Sequence, residues 1–202
     1  MYLKEAFDVY SLQQAKNVVL SEDPNFPNKF TVETDFLVSK ILKNLEIGEN
    51  TKILDFGCGM GRVSKSLIEK TNCYVIGVDI SKTMLNFAVQ YVNNEKFSPN
   101  STYYLKNSVD IVLCIFSLQH VENPSKEIEN LINILKPKGH LVLLNDKKRY
   151  IPSGTDRNNF VIWKDDNFDV GKSLNEKLTK IKDITYLNKP NQSILIFQKL
   201  NN

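Results

Sequence analysis

A chain of 202 residues with a net charge of +3 and 42% hydrophobic residues is typical of one globular domain with a full apolar core. The mild basicity and the lack of any block of five like charges argue against a dedicated nucleic-acid binder. The longest apolar run, 111–116, is far shorter than the roughly 20 residues of a membrane-spanning helix, and two histidines leave little material for a zinc site.

The N-terminal region is predicted to be helical. Residues 1–30 indicate a short helix followed by a loop, and 33–46 place apolar residues on one face at helical spacing before Gly48 ends the helix. We therefore expect 1–47 to form a helical cap and 48–202 to form the ligand-binding domain, within one domain overall.

Strand and helix patterns alternate from residue 52 onwards. Strands are predicted at 52–56, 74–78, 109–116 and 140–145, and helices at 61–69, 81–93 and 124–135, with Ser81 as an N-cap. Apolar strands that alternate with helices indicate a parallel sheet covered on both faces. The segments 180–187 and 193–200 predict a closing antiparallel hairpin. Residues 151–170 show no clear helix pattern and are expected to form either a substrate-covering loop or plain core.

A glycine-rich turn follows the first strand in the segment ILDFGCGMGR, residues 53–62. Glycines let the backbone bend sharply and approach a ligand, and the N-terminus of the next helix favours a negative group such as a carboxylate. A dinucleotide fingerprint would need glycine where Arg62 stands. The spacing therefore argues against a nicotinamide-dependent oxidoreductase.

Asp79 ends the next strand in the segment VIGVDIS, residues 75–81. An acid at the tip of this strand is placed to bind the two hydroxyls of a ribose. The alternative is that Asp79 only caps the helix that begins near Ser81.

These segments, followed by DIVLCIFSLQHVENP and NLINILKPKGHLVLLND, resemble the successive motifs of class I S-adenosylmethionine-dependent methyltransferases over roughly residues 50–146. The resemblance is to the small-molecule type, of the methyltransferase domain 11 and 25 kind. It implies an α/β, Rossmann-like three-layer sandwich with a seven-stranded, mostly parallel sheet and an antiparallel C-terminal hairpin. In this chain the third-strand region is shortened. The resemblance also implies S-adenosylmethionine as cofactor and S-adenosylhomocysteine as product.

The resemblance implies roles for individual residues. Asp55 and the Gly57–Gly61 turn would hold the amino-acid end of the cofactor, and Asp79 would take the ribose hydroxyls. Ile80 and Met84 would lie near the adenine. The full implied cofactor-binding set is Asp55, Gly57, Cys58, Gly59, Gly61, Arg62, Asp79, Ile80, Met84, Asn100, Ser101, Ile115, Phe116 and Ser117, of which the last three would face the methionine part and the methyl group.

One element of the family pattern is missing, namely an acid after the third strand that binds the adenine amino group. The stretch 95–110 is short and has no internal acid, and the third strand is expected around 103–105. Asn100 or Ser101 would substitute, since an amide oxygen accepts a hydrogen bond from an amine. This gap keeps open the alternative of a non-catalytic S-adenosylmethionine-binding protein.

The acceptor side offers fewer candidates. His120 follows the fourth strand and is a candidate general base, because an imidazole with a pKa of about 6.5 is mostly neutral at pH 7. The alternative is a loop histidine that only packs and hydrogen-bonds. Tyr10 is a weaker catalytic candidate in a possible aromatic lid, and Arg149 and Tyr150 are weak acceptor-binding candidates in a basic loop that would otherwise be solvated.

We therefore expect in-line methyl transfer to an oxygen or nitrogen of a small-molecule acceptor. An RNA methyltransferase and a non-catalytic binding protein are the alternatives. We expect no metal, no membrane association and no nucleic-acid partner, and either a monomer or a homodimer. The three separated cysteines and the absence of an apolar N-terminal segment predict a cytoplasmic protein with reduced thiols.

Overall fold

A computed structural model describes residues 1–20, 28–100, 105–187 and 189–201, without the side chains of 190 and 191. Its helices are α1 (Leu12–Val19), α2 (Lys29–Asn44), α3 (Arg62–Thr71), α4 (Lys82–Val92), α5 (Pro124–Ile134) and α6 (Val170–Lys177), with short 3-10 helices at Lys4–Phe7 and Leu118–His120. Its strands are β1 (Lys52–Phe56), β2 (Tyr74–Val78), β3 (Phe97–Pro99), β4 (Val109–Ile115), β5 (Leu135–Leu144), β6 (Ile151–Thr155), β7 (Val161–Lys164), β8 (Thr179–Tyr186) and β9 (Lys189–Gln198).

Seven strands form one sheet in the order β3-β2-β1-β4-β5-β9-β8. The pairs β1–β2, β2–β3 and β4–β5 are parallel, whereas β9 runs antiparallel to β5 and to β8. The predicted α/β sheet with an antiparallel C-terminal hairpin is confirmed. The strands β6 and β7 form a separate antiparallel pair.

Two compact units make up the chain. The N-terminal unit contains residues 7–103, and the C-terminal unit contains residues 1–6 and 104–202. This division differs from the boundary at residue 47 that the sequence analysis expects. The helical cap over 1–47 stays a prediction. Among the described residues no helix has both the length and the apolar character that a membrane span requires.

The N-terminal unit forms around β1 and β2, whose bounds agree with the sequence prediction. Ile53 and Leu54 of β1 and Val75 of β2 are buried. The third strand lies at 97–99, and residues 103 and 104 of the expected position around 103–105 lie outside the described residues. The ring of Phe97 occupies the space beside Gly77, where an added Cβ would lie 2.5 Å from it.

The C-terminal unit forms around β4 and β5, which are apolar along their length as predicted. In β4, Val112, Leu113 and Cys114 are fully buried. The region 151–170 contains the hairpin β6–β7, followed by α6, whose first residues are capped by Asp169 through a bond from the Lys172 amide. The sequence analysis missed both, because β7 has only four residues and α6 only eight, too short for a clear periodic pattern.

Candidate functional site

The glycine turn after β1 has the backbone conformation that its sequence suggests. Gly57, Gly59 and Gly61 have φ values of 71°, 55° and 80°, in the left-handed region that glycine adopts without steric cost. The amides of Gly57 and Cys58 both donate to the carbonyl oxygen of Val78, at 2.7 and 2.9 Å. The turn is therefore tied to the carboxyl end of β2, where Asp79 follows.

Asp79 is held in one orientation by backbone donors on both sides. The amide of Gly59 donates to Oδ2 at 2.9 Å, and the amide of Ser81 donates to Oδ1 at 3.0 Å. Burial raises the pKa of Asp79, while these backbone hydrogen bonds act in the opposite direction. The cap of α4 is Ser81, whose Oγ accepts from the Met84 amide at 3.2 Å. The Asp79 side chain is therefore not the helix cap.

Asp55 lies at the end of β1 and is buried. The hydroxyl of Ser64, in the first turn of α3, donates to its Oδ2 at 2.6 Å. Burial raises the pKa of Asp55 to about 6, against the lowering effects of the Ser64 hydrogen bond and the Arg62 charge. A carboxyl held inside the protein in this way is a costly group, and such groups are common at functional sites.

The N-terminal segment 8–19 packs against α4 and the glycine turn. Ser81 Oγ donates to Asp8 Oδ1 at 2.7 Å, and the amide of Val9 donates to Thr83 Oγ1 at 2.9 Å. A buried apolar cluster joins this segment to the turn and to α4; its members are Val9, Ala15, Met60 and Met84. The sequence analysis did not single out Asp8, because its partner lies 73 residues away in the chain.

His120 lies in the C-terminal unit at the end of the short 3-10 helix 118–120. Its Nδ1 is 2.7 Å from the carbonyl oxygen of Tyr150, and its Nε2 is 3.1 Å from the amide nitrogen of the Gln119 side chain. The ring of Trp163 lies edge-on at 5.4 Å between centroids. Burial lowers the pKa of His120 and so favours the neutral imidazole.

Arg149 is almost fully buried beside the same 3-10 helix. Its Nε and Nη2 donate to the two oxygens of Asp166, both at 2.8 Å. Its Nη1 and Nη2 also donate to the carbonyl oxygens of Leu118 at 3.1 Å and Val121 at 2.8 Å. The guanidinium is therefore bonded to both ends of the segment 118–121, which carries His120, and the expected contact of Arg149 with an acceptor stays a prediction.

Comparison with known proteins finds similarity to methyltransferases in both sequence and fold. Residues 54–143 match the family model described as a methyltransferase domain. Over these residues, which are less than half of the chain, the sequence is similar to methyltransferase domains. Its fold is similar to that of the N-methyltransferase NodS from Bradyrhizobium japonicum, solved in complex with S-adenosylhomocysteine, with a TM-score of 0.63, 18% identity, and coverage of 94% of this chain and 98% of that one.

Two curated methyltransferases are similar in sequence. The ubiquinone biosynthesis O-methyltransferase of Rickettsia bellii is 26% identical over 132 residues, which cover 59% of this chain and 53% of that protein. The phosphoethanolamine N-methyltransferase of Plasmodium falciparum is 31% identical over 112 residues, which cover 52% of this chain and 42% of that protein. The chain thus spans about half the length of these curated relatives.

The chemistry of the donor and acceptor groups around the glycine turn fits S-adenosylmethionine as the cofactor. The carboxylate of Asp79 is fixed by two backbone donors, and its other lone pairs can accept hydrogen bonds from the two hydroxyls of a ribose. The glycine turn has no side chains at positions 57, 59 and 61, and its backbone is closely approached by Val19 beside Gly59 and by Val92 beside Gly61.

The N-terminal unit brings together six of the residues expected to bind the cofactor: Asp55, Gly57, Cys58, Gly59, Gly61 and Asp79. Others are placed differently. Arg62 directs its Nη1 to Thr34 Oγ1 at 2.9 Å, towards α2, and Met84 lies in the buried apolar cluster. The side chain of Ile80 is 53% exposed. The amide of Asn100 donates to the carbonyl oxygen of Gly77, while Ser101 lies outside the described residues.

Three more of these residues follow one another in the C-terminal unit. Ile115 ends β4, Phe116 has a φ of 54° with its ring edge-on to Tyr186, and Ser117 Oγ is buried without a hydrogen-bond partner among the described residues. Their predicted cofactor contacts stay predictions. Tyr10 lies in the N-terminal unit and is 82% exposed, and its proposed catalytic role stays a prediction.

Proposed function

We propose that this protein transfers the methyl group of S-adenosylmethionine to an oxygen or nitrogen of a small-molecule acceptor. The single observation that carries the proposal is the fixed carboxylate of Asp79 beside the glycine turn. The names of the two curated relatives, an O-methyltransferase and an N-methyltransferase, support an acceptor atom of this kind.

The residues of the N-terminal unit would bind and orient the cofactor. Asp79 would accept hydrogen bonds from the ribose hydroxyls, and the turn 57–61 would lie against the amino-acid end, with Asp55 behind it. When bound, S-adenosylmethionine supplies an electrophilic methyl group on a positively charged sulfur. The work of the protein is then to hold the reactants aligned and to exclude water.

The residues of the C-terminal unit support an acceptor with a flat apolar part. The side chains of Tyr150 and Trp163 are 41% and 42% exposed, and Trp163 contacts the His120 ring. Exposed aromatic side chains beside a neutral imidazole suit a ring-containing acceptor whose hydroxyl or amine donates to that imidazole. We assign His120 the role of general base for such a group, and we assign Arg149 the role of supporting the segment 118–121.

The cofactor part of the proposal is tested by calorimetry with S-adenosylhomocysteine. Each hydrogen bond to a charged group contributes about 1.5–3 kcal/mol, so Asp79→Asn should weaken binding by roughly 100-fold or more. The control is Asp183→Asn, which removes a carboxylate from the exposed edge of β8. Binding of NADH in place of S-adenosylhomocysteine, or equal affinity of the Asp79 variant and the wild type, contradicts the assignment.

The catalytic part is tested with a panel of phenols, amines and RNA, followed by measurement of S-adenosylhomocysteine formation. We expect turnover with a small ring-containing acceptor, and His120→Ala should slow it by about 100-fold or more while leaving cofactor affinity unchanged. Turnover on RNA alone refutes the small-molecule acceptor. Tight cofactor binding without turnover on any member of the panel refutes catalysis.

A further inference from the structure

The side-chain amide of Gln119 is fixed in one orientation. The residue is buried, and its Oε1 accepts a hydrogen bond from the backbone amide of Asp146 at 2.6 Å. Because that backbone group can only donate, Oε1 must face it. The NH2 group therefore faces the other way, where it donates to Asp146 Oδ2 at 3.3 Å and lies 3.1 Å from His120 Nε2.

The proton on His120 is fixed from both sides of the ring. The carbonyl oxygen of Tyr150 can only accept, so Nδ1 must carry a hydrogen to form the 2.7 Å contact. The NH2 group of Gln119 can only donate at this position, so Nε2 must present its lone pair. A proton on Nε2 would put two donors face to face. The arrangement therefore admits the neutral Nδ1–H tautomer and opposes both the Nε2–H tautomer and the imidazolium.

We propose that Gln119 is a positioning residue that holds His120 neutral, with its proton on Nδ1 and its Nε2 lone pair directed at a hydrogen-bond donor. The acceptor's hydroxyl or amine would donate to this same lone pair. The importance of this role for catalysis rests on the proposed function. The tautomer of His120 does not, since it follows from the contacts within the C-terminal unit.

The charged groups around His120 act in opposite directions. Asp146, which follows β5, raises the pKa of His120, and Arg149, which precedes β6, lowers it; the Tyr150 carbonyl raises it and burial lowers it. Trp163 of β7 contributes an uncharged ring, and Tyr2 donates its hydroxyl to the His120 backbone carbonyl at 2.8 Å. The side chain of Gln119 differs from these groups because it acts on Nε2 itself.

Nitrogen NMR of the ¹⁵N-histidine-labelled protein without cofactor tests the proposal directly. The sequence has only two histidines, so His140 serves as an internal reference and His120→Asn assigns the signals. We expect the wild type to show the Nδ1–H tautomer of His120 at pH 7. The Nε2–H tautomer, or an equal mixture of the two, overturns the proposal.

The variant Gln119→Glu replaces the donor by a carboxylate that can only accept. It should raise the pKa of His120 by about one unit or more, a tenfold change in proton affinity, while the titration of His140 stays in place. Gln119→Leu, which removes the donor without adding a charge, should raise it by a smaller amount. Asn133→Asp, which adds a charge on the exposed side of α5, should leave it unchanged and serves as the matched control.

A His120 titration that stays within about 0.3 units of the wild type in both Gln119 variants overturns the proposal. Once an acceptor is known, the acid limb of kcat/KM should move with the His120 pKa in Gln119→Glu. A failure of the proposed function appears instead as an absence of turnover, with the NMR result intact. The two failures are therefore distinguishable.

Discussion

Asp55→Asn should stabilise the folded protein at neutral pH, although Asp55 belongs to the proposed cofactor site. The carboxyl is buried, and its pKa is raised from 3.8 to about 6. Between these two pH values the folded protein keeps the proton while the unfolded chain has already lost it. The stability associated with this carboxyl is therefore fully present below about pH 4 and is lost as pH rises through about 6.

The size of the effect follows from the same shift. About two pKa units at roughly 1.4 kcal/mol each give about 3 kcal/mol of lost stability above pH 7. In the wild type, the hydroxyl of Ser64 donates a hydrogen bond to the Asp55 carboxylate at 2.6 Å. An asparagine has the same shape and no charge, and its Oδ1 can still accept this hydrogen bond. It loses only the attraction between the carboxylate and Arg62. We therefore expect a net gain of about 1–3 kcal/mol at pH 8 and little difference at pH 4.

Urea unfolding of the wild type and the Asp55→Asn variant, measured at intervals from pH 4 to pH 8, gives this difference directly. The control is Asp35→Asn, which removes an exposed carboxylate of α2 and should change stability by no more than about 0.5 kcal/mol. A variant that is less stable than the wild type at pH 8, or a difference that does not change with pH, refutes the reasoning. Cofactor affinity, measured separately, should fall.

Two further predictions concern stability. Gly59→Ala should lower the free energy of unfolding by about 1–3 kcal/mol, because φ is +55° and the new methyl would lie 2.8 Å from Val19 Cγ2. The control is Gly48→Ala, which should leave stability unchanged because its methyl meets no described atom within 4 Å. Equal losses of stability for the two variants in thermal melts would contradict the argument. Arg149→Lys should cost about 2–4 kcal/mol in urea unfolding, because three donors on one nitrogen cannot replace the four hydrogen bonds that the planar guanidinium makes to Asp166, Leu118 and Val121. A loss below about 1 kcal/mol would contradict this argument.

The sequence by itself determined the elements that depend on neighbouring residues. The bounds of β1 and β2, the cap at Ser81 and the left-handed glycines of the 57–61 turn all follow from short patterns, because steric limits on φ and the spacing of apolar residues act locally. The motif order also predicted the sheet class and the terminal hairpin.

The tertiary structure alone decided the partners of the polar side chains. Asp8 bonds to Ser81 across 73 residues, and His120 meets Tyr150 across 30, so no local pattern could reveal either pair. Arg149 was expected to face an acceptor, but its buried guanidinium is bonded to Asp166. A buried polar group must find hydrogen-bond partners wherever the packing brings them. Those partners are set by the fold, and they decide which tautomer His120 holds.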